Sequence, residues 1–264
     1  VPGRESMPMP SISVIIPAYN AAGTIREALE SVFAQTYKHF EAIVVDDCST
    51  DGTSDCVRRW CRVSSVECRL VRMEENRGPA AARNRGIAEA HGEWIAFLDA
   101  DDVWLPEKLA TQLQIAEQHP DAALICGKTA AFGNEKASGK WKEAREGTVR
   151  CGKSLPLNAC PERSRGAYRL PLAVFAVDNP VATSTVLVRK EAVEAVGGFD
   201  EQFRGPEDYD LWMRIAAKYP IVKTDQPLAR YRFVPGSLSM DDRTFLPQVL
   251  RVLEKAFGPG GVLN

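Results

Sequence analysis

The chain has 264 residues, enough for one large α/β domain or for one domain with a modest appendage. It is 45% hydrophobic and 26% charged, as is usual for a globular protein, and its formal net charge is -2. This balance gives no overall attraction to nucleic acid, which we therefore exclude as a partner. Every apolar run is far shorter than the roughly 20 residues that a bilayer span needs, so no transmembrane helix is predicted.

The start of the chain and its cysteines bear on location. Residues 1–10 show neither an apolar signal core nor a cleavage site, so we expect a disordered leader and no secretion. The seven cysteines are irregularly spaced, which argues against a disulfide framework, and no pair has the two-residue gap of a zinc knuckle. We therefore predict reduced, structural thiols in a cytoplasmic protein, and leave peripheral association with the cytoplasmic face of a membrane open.

The first half of the chain alternates strand and helix patterns. Apolar runs typical of buried strands occupy residues 11–17 (SISVIIP), 40–45 (FEAIVV), 69–73 and 94–98 (WIAFL). Helical spacing of apolar residues predicts helices at residues 21–35, 55–62 and 80–90. This alternation indicates an α/β fold with a mostly parallel sheet, in which ligands bind beyond the carboxyl ends of the strands.

The second half is less regular. Helices are predicted at residues 105–119, 190–196 and 209–218, and strands at 122–126 and 183–188. Residues 133–166 are polar and follow no sustained period, so we interpret them as a long surface loop.

Three strand ends in the first half carry the polar sequences PAYN (residues 17–20), DD (46–47) and DADD (99–102). Carboxylates two residues apart can divide between a ribose and a divalent cation, because Mg²⁺ takes one or two protein carboxylates plus substrate phosphates. A carboxylate at residues 46–47 can accept a hydrogen bond from a nucleobase. Each acidic group fits the N-terminus of the following helix equally well, so none decides the function alone.

The ordered set of motifs is more specific than any one of them. In chain order, PAYN, VVDDCSTDGT, NRGPAAARNRGI, WIAFLDADD and GPEDYDLW resemble the signature series of the family 2 glycosyltransferases. The resemblance runs from about residue 11 to residue 231 and implies the GT-A fold, a Rossmann-like nucleotide-binding sheet. It implies an inverting enzyme with a DXD motif that uses Mn²⁺ or Mg²⁺. The expected donor is a nucleotide sugar, most simply a UDP-sugar, and the expected acceptor is a hydroxyl of a glycan or lipid-linked saccharide.

The resemblance also implies roles for single residues. Asp101 is the expected metal ligand, and Asp102 is left open as the alternative ligand. Asp47 is preferred to Asp46 as the residue that binds the nucleobase. Arginine offers a bidentate fork for phosphate oxygens, although a solvated helix face suits at least one of the three arginines in this region. The residues implied to bind the nucleotide are Pro17, Ala18, Tyr19, Asp47, Arg77, Arg83, Asp99 and Ala100.

The family's Glu-Asp pair corresponds to Glu207 and Asp208. An inverting transfer needs a base that removes the proton of the acceptor hydroxyl, and a carboxylate within hydrogen-bond reach suffices. We predict Asp208 as this base and Glu207 as its orienting partner; capping of the next helix is the alternative. Residues 179–185 (NPVATST) lie where acceptor-side residues occur in relatives, but a plain strand edge is equally consistent.

These assignments divide the chain into a leader (1–10), a nucleotide-sugar-binding half (11–125), an insertion or long loop (126–170) and an acceptor-binding half (171–264). Two other functions stay open. A nucleotidyltransferase predicts a glycine-rich phosphate loop after the first strand, which PAYN is not. A catalytically inactive nucleotide-sugar-binding module is the other, and the intact Asp101 and Asp208 count against it.

Overall fold

The computed structural model describes residues 11–64, 66–133, 166–233, 242–261 and 263. In chain order the strands are β1 (Ile12–Ala18), β2 (Phe40–Asp46), β3 (Cys68–Arg72), β4 (Trp94–Phe97), β5 (Val103–Trp104), β6 (Leu124–Gly133), β7 (Ala167–Leu170), β8 (Leu187–Arg189) and β9 (Ile221–Phe233). The α-helices are α1 (Ile25–Phe33), α2 (Thr53–Val63), α3 (Pro79–Glu89), α4 (Lys108–Gln118), α5 (Leu172–Phe175), α6 (Lys190–Ala195), α7 (Glu207–Ala216) and α8 (Asp242–Phe257). A 3-10 turn, Thr183–Thr185, precedes β8.

The strands form one sheet in the order β3-β2-β1-β4-β8-β6-β9-β5, with β7 also paired to β9. The neighbours β3, β2, β1 and β4 are parallel, which confirms the predicted alternation of strand and helix. Beyond β4 the sheet is mixed, because β8 is antiparallel to both β4 and β6. The 3-10 turn, rather than a crossover helix, leads into β8, so the chain enters this strand from the edge where β4 ends.

The core lies on both faces of the sheet, because the apolar side chains of β1 and β2 are buried on both sides. Helices α1, α2 and α4 pack on one face, and α3, α7 and α8 pack on the other. Helix α3 approaches β1 closely, since a side chain at Gly86 would clash with Ile15. The α/β prediction is therefore confirmed, with a central sheet between two helical layers.

Some predicted elements are corrected. Residues 183–185 form the 3-10 turn instead of a strand. The predicted loop at 126–170 begins and ends in strands, since β6 extends to Gly133 and β7 starts at Ala167. The rest of that loop, 134–165, and the leader, 1–10, lie outside the described residues. Strand β9 and helices α5 and α8 were not predicted.

The prediction of reduced thiols is wrong for two cysteines. Cys61, near the end of α2, forms a disulfide with Cys68, the first residue of β3. The turn between the helix and the strand brings their Cα atoms within 4.9 Å, and sequence spacing alone does not reveal this contact. Cys48, Cys56 and Cys126 are free thiols.

Among the residues that the structure describes, none of the helices combines the length and the apolar character that crossing a bilayer demands.

Candidate active site

Acidic residues follow the carboxyl ends of β2 and β4. Asp46 ends β2 and Asp47 follows it, whereas Asp99 and Asp101 lie in the turn after β4. Because β2 and β4 are parallel to β1, which lies between them, the same edge of the sheet also receives Tyr19. The structure therefore brings the three polar strand ends together, as predicted.

Arg83 of α3 joins this edge to helix α7. Its Nη2 donates to Oδ1 of Asp99 and its Nη1 donates to Oε1 of Glu207, each at 2.7 Å. The side chain is buried against the ring of Phe199. Burial lowers the pKa of Arg83, but the charges of Asp99 and Glu207 outweigh it and raise the pKa above its ordinary value. Both terminal nitrogens are thus engaged by carboxylates, which argues against the phosphate contact expected of Arg83.

The last two acids of DADD have different surroundings. Asp102 is buried, and its two oxygens accept hydrogen bonds from the hydroxyl of Ser184 (2.6 Å) and the backbone N–H of Arg232 (2.9 Å). Asp101 is partly buried, and burial, together with the charge of Asp99, raises the pKa of Asp101 to about 6. A crowded acid of this kind is stabilised by a neighbouring cation. Asp101 therefore suits the predicted metal role better than Asp102.

The carboxylates fit a cation that is shared with a substrate. Within the described ranges, no cluster of three or more His, Cys, Asp or Glu side chains is placed to hold a metal ion by itself. Asp101 and the nearby Asp99 could supply one or two carboxylates, the number that a protein usually contributes to a Mg²⁺ ion that also binds substrate phosphates.

Arg232 of β9 supports the loop that carries Asp101. Its Nε donates to the backbone oxygen of Asp101 (2.8 Å), and its Nη2 donates to Glu27 of α1 (2.5 Å). No motif marks Arg232, because a single arginine in a polar stretch has no spacing that identifies its partner.

Asp208 lies in the first turn of α7 with one oxygen held by two donors. Its Oδ2 accepts from the hydroxyl of Thr183 (2.7 Å) and from the amide of Asn179 (3.4 Å), and its Oδ1 accepts from the N–H of Tyr209 (2.6 Å). Burial, and then the charge of Glu207, raises the pKa of Asp208 to about 6. A carboxylate with this pKa suits a general base that works near neutral pH.

Glu207 is engaged on both sides. Besides its bond to Arg83, its Oε2 accepts from the backbone N–H of Gly205 at 2.7 Å. The side chain is buried, so it has no free oxygen for an acceptor hydroxyl. These bonds fix Glu207 itself, and its orienting effect on Asp208 stays a prediction.

Asp47 holds the loop that precedes α3. Its two oxygens accept the backbone N–H groups of Arg77 (2.9 Å) and Gly78 (2.7 Å), and only 3% of the residue is exposed. The guanidinium of Arg77 pairs with Glu201 at 2.8 Å and not with the acids after β4. Asp46 is fully buried as well, so burial does not distinguish the two acids, and the preference for Asp47 as the ligand of the nucleobase stays a prediction.

The end of β1 presents an aromatic ring. Tyr19 is 52% exposed, whereas Ala18 beneath it and Ala100 after β4 are buried, and Pro17 is partly buried. An exposed ring at a strand end offers a flat apolar face to a nucleobase.

Comparison with known proteins shows the family. The family profile described as "Glycosyl transferase family 2" matches residues 13–196. An Erwinia amylovora protein, amylovoran biosynthesis glycosyltransferase AmsB, is 33% identical over 229 residues, which cover 85% of this chain and 70% of AmsB. The chain belongs to glycosyl transferase family 2. The resemblance seen in the signature motifs is therefore confirmed.

This chain matches only part of other relatives. The putative teichuronic acid biosynthesis glycosyltransferase TuaG of Bacillus subtilis (strain 168) is 45% identical over 118 residues, which cover 45% of this chain and 46% of TuaG. The chain likewise spans 34% of an uncharacterized glycosyltransferase of Rickettsia felis.

Solved structures share the fold. Staphylococcus aureus TarS, crystallised as residues 1-349 in complex with UDP-GlcNAc, has a TM-score of 0.70 at 23% identity and covers 96% of this chain and 68% of that one. The mannosyltransferase PcManGT of Pyrobaculum calidifontis, in complex with GDP-Man and Mn²⁺, has a TM-score of 0.66 at 22% identity over 92% of this chain and 64% of that one. These likenesses confirm the GT-A fold expected of family 2.

The family assignment leaves the role of each residue to be tested. The motifs identified the acids, and the structure adds three supporting residues, two of them in the 179–185 segment whose role the sequence left open. These are Thr183, Ser184 and Arg232.

Proposed function

We propose that this family 2 protein is an inverting glycosyltransferase that uses a UDP-sugar and transfers the sugar to a hydroxyl of a glycan or lipid-linked saccharide. One observation carries the proposal: Arg83 links Asp99, at the end of β4, to Glu207, the neighbour of Asp208. Donor-side acids and a candidate base thereby belong to one site. The TarS complexes with UDP and UDP-GlcNAc support the donor class, and the names of TuaG and AmsB support a saccharide acceptor.

In this proposal residues 11–125 bind the donor. The ring of Tyr19 lies against the nucleobase, and Asp99 faces the ribose. Asp47 binds the edge of the nucleobase, for which it must release or share one of its two backbone N–H bonds. The exposure of Tyr19 and the position of Asp99 after β4 support these roles. The other contributors are Pro17, Ala18, Ala100 and Arg77, the last of which must leave Glu201 to reach a phosphate.

Asp101 would hold the Mn²⁺ or Mg²⁺ ion when the donor binds. Its raised pKa beside Asp99 supports this role, as does the Mn²⁺ in the PcManGT complex. When bound, the ion supplies stabilisation of the negative charge that develops on the departing diphosphate. Asp102 fixes the loop that carries Asp101 through hydrogen bonds from the hydroxyl of Ser184 and the backbone N–H of Arg232.

Asp208 accepts the proton of the acceptor hydroxyl as its oxygen attacks the anomeric carbon. The bond from that carbon to the acceptor oxygen forms while the bond to the diphosphate oxygen breaks, and attack from the opposite face inverts the configuration. The pKa of about 6 keeps Asp208 ionised at neutral pH but basic enough to take a proton. Glu207 orients Asp208 while bound to Arg83.

The acceptor binds to residues 171–264, beside Asp208. A cytoplasmic protein with a lipid-linked acceptor would work at the cytoplasmic face of the membrane, and this location stays a prediction from composition and from the proposed acceptor.

Two substitutions separate donor binding from transfer. Asp101→Ala is expected to abolish the Mn²⁺-dependent part of UDP binding, because the cation loses its protein carboxylate. Asp208→Asn is expected to leave UDP binding intact and to slow transfer by about a hundredfold or more, because an amide cannot accept the proton. Calorimetry with UDP, with and without Mn²⁺, measures binding, and release of UDP from UDP-GlcNAc with a saccharide acceptor measures transfer.

Asp121→Asn, which removes a surface carboxylate paired with Arg169, is the control and is expected to change neither measurement. Full transfer by Asp208→Asn would overturn the base assignment. If the unaltered protein binds UDP but releases none from any UDP-sugar, the inactive binding module is the correct function. Binding of GDP in preference to UDP would overturn the donor class.

A further inference from the structure

The 3-10 turn before β8 contacts both halves of the proposed site through two adjacent hydroxyl groups. The hydroxyl of Thr183 donates to Oδ2 of Asp208 at 2.7 Å. The hydroxyl of Ser184 donates to Oδ2 of Asp102 at 2.6 Å and accepts the backbone N–H of Asp99 at 3.2 Å. Both residues are buried, with 6% of Thr183 and 2% of Ser184 exposed. Consecutive residues therefore hold the candidate base and the acidic loop.

The backbone of this turn is itself held by hydrogen bonds from Trp104 and from helix α4. The indole of Trp104 donates to the carbonyl of Ser184 at 2.7 Å. Gln112 and Lys108 of α4 donate to the next two carbonyls in the chain, at 2.8 and 3.1 Å. Lys108 is buried with its ammonium 4.2 Å from the centre of the Trp104 ring. Since the carbonyls are fixed, the two hydroxyl groups have fixed positions, which is what an accurately placed site requires.

We infer that Thr183 and Ser184 form a paired positioning element, in which Thr183 orients Asp208 for proton transfer and Ser184 fixes the loop that presents Asp101. The inference rests on the proposed function for the role of Asp208 and extends it to two residues of the 179–185 segment, whose role the sequence left open. Both hydroxyls bind protein groups, so they act through Asp208 and Asp102 and are positioning residues.

The pKa of Asp208 depends on the charged groups around it as well as on the hydrogen bond from Thr183. Glu207, the preceding residue, raises the pKa of Asp208, and Arg83 of α3 lowers it. The hydrogen bond from Thr183 also lowers it, because the bond stabilises the ionised form. The neighbouring ionisable groups of α7 and α8 have other partners: Lys255 binds Asp210, and Tyr209 binds the carbonyl of Phe175.

Thr183→Val tests the first half of the inference, since valine keeps the shape of threonine and lacks the hydroxyl. The pKa of Asp208 is expected to rise by about one unit, because its ionised form loses a donor. The acid limb of the pH profile of kcat/KM for UDP release from UDP-GlcNAc moves upward by the same amount. UDP affinity stays unchanged. Thr183→Ser retains the hydroxyl and is expected to keep the original pKa.

Ser184→Ala tests the second half. Removal of the hydroxyl takes away one of the two bonds to Asp102 and the bond to the N–H of Asp99, which loosens the loop. UDP affinity in the presence of Mn²⁺ is therefore expected to fall about tenfold. The affinity for UDP without Mn²⁺ and the pKa of Asp208 are expected to stay the same. Thr183→Val is therefore expected to change only the pKa of Asp208, and Ser184→Ala only the UDP affinity in the presence of Mn²⁺.

Carbon-13 NMR titration of labelled aspartate measures the pKa of Asp208 without turnover, so the inference and the proposed function can fail separately. Absence of UDP release in the unaltered protein would reject the function, whereas an unchanged Asp208 pKa in Thr183→Val would reject the role of Thr183. Equal UDP affinity in Ser184→Ala and the unaltered protein would reject the role of Ser184. If either variant does not fold, Thr183→Ala and Ser184→Cys replace them with the same expectations.

Discussion

The guanidinium of Arg83 is where the donor and acceptor sides of the site meet. A lysine at this position keeps the charge but cannot form the two-armed contact with Asp99 and Glu207. Arg83→Lys is therefore expected to slow UDP release about tenfold or more, with UDP affinity changed by less than about threefold. Steady-state kinetics with UDP-GlcNAc and calorimetry with UDP measure the two effects.

Arg85→Lys is the matched control for this prediction. Arg85 lies on the same helix, is exposed and pairs with Glu89, so its substitution is expected to change neither quantity. A loss of affinity in Arg83→Lys that is larger for UDP than for UMP would contradict the bridging role and support the original expectation of a phosphate contact.

Single residues were predictable from sequence where a motif fixes their type and place. Asp101 and Asp208 belong to such motifs. In the structure both have a raised pKa, and they lie beside Asp99 and Glu207, the two acids that Arg83 joins. Arg232 was missed, and Ser184 was included only in the 179–185 segment of open role, because their partners lie 130 or more and 82 residues away in the chain. The fold, and not local spacing, selects which serine or arginine meets an acid.

At the scale of elements, the loop before α7 depends on Gly205. Its φ of 112° lies in the region that only glycine adopts easily, and a Cβ there would come within 3.0 Å of the ring of Phe245 on α8. Gly205→Ala is therefore expected to lower the free energy of unfolding by about 1–3 kcal/mol, and to slow transfer because the N–H that binds Glu207 shifts. Urea denaturation and UDP release measure these changes.

Gly23→Ala provides the comparison, because a Cβ at Gly23 meets no atom within 4 Å and its backbone needs no positive φ. Its effect on stability is expected to stay within about 0.5 kcal/mol. Equal stability of the two variants would show that α8 does not constrain the loop.

Elements with continuous apolar runs were predicted well, since a strand buried on both faces needs such a run. Strand β9 was missed because the middle of its sequence, TDQP, is polar and largely exposed. Residues 183–185 resemble a strand by their β-branched composition, but Ser184 and its neighbours form hydrogen bonds that hold a turn instead. Tertiary contacts here override local propensity.

At the scale of the whole molecule, the site lies where the parallel half of the sheet meets the strands of the acceptor side. Strand β8 pairs with β4 in the antiparallel direction, and the turn before it reaches the acids that follow β4. Helix α7 packs in the same core cluster as α3, so Asp208 and Arg83 are fixed by one apolar layer. The junction therefore gathers acids that repel one another, and the fold must tolerate their charge.

The burial of these acids makes the free energy of unfolding depend on pH. The pKa of Asp208 is about 6 in the folded protein, above its ordinary value of 3.8, so the folded state binds the proton more tightly than the unfolded state does. The stability that this proton contributes is fully present below about pH 4 and is lost as the pH rises through 6. Asp208→Asn removes the ionisation and is expected to raise the free energy of unfolding at pH 7 by up to about 3 kcal/mol, with little change near pH 4.

Urea denaturation of Asp208→Asn and the unaltered protein at several pH values between 4 and 7 measures this difference. Asp121→Asn gives the opposite case, because Arg169 holds the pKa of Asp121 below its ordinary value and its loss brings no gain at neutral pH. A difference between Asp208→Asn and the unaltered protein that does not grow with pH would mean that the fold does not hold this carboxylate in a raised-pKa state. Growth across that window would identify Asp208 as a residue kept for chemistry at the expense of stability.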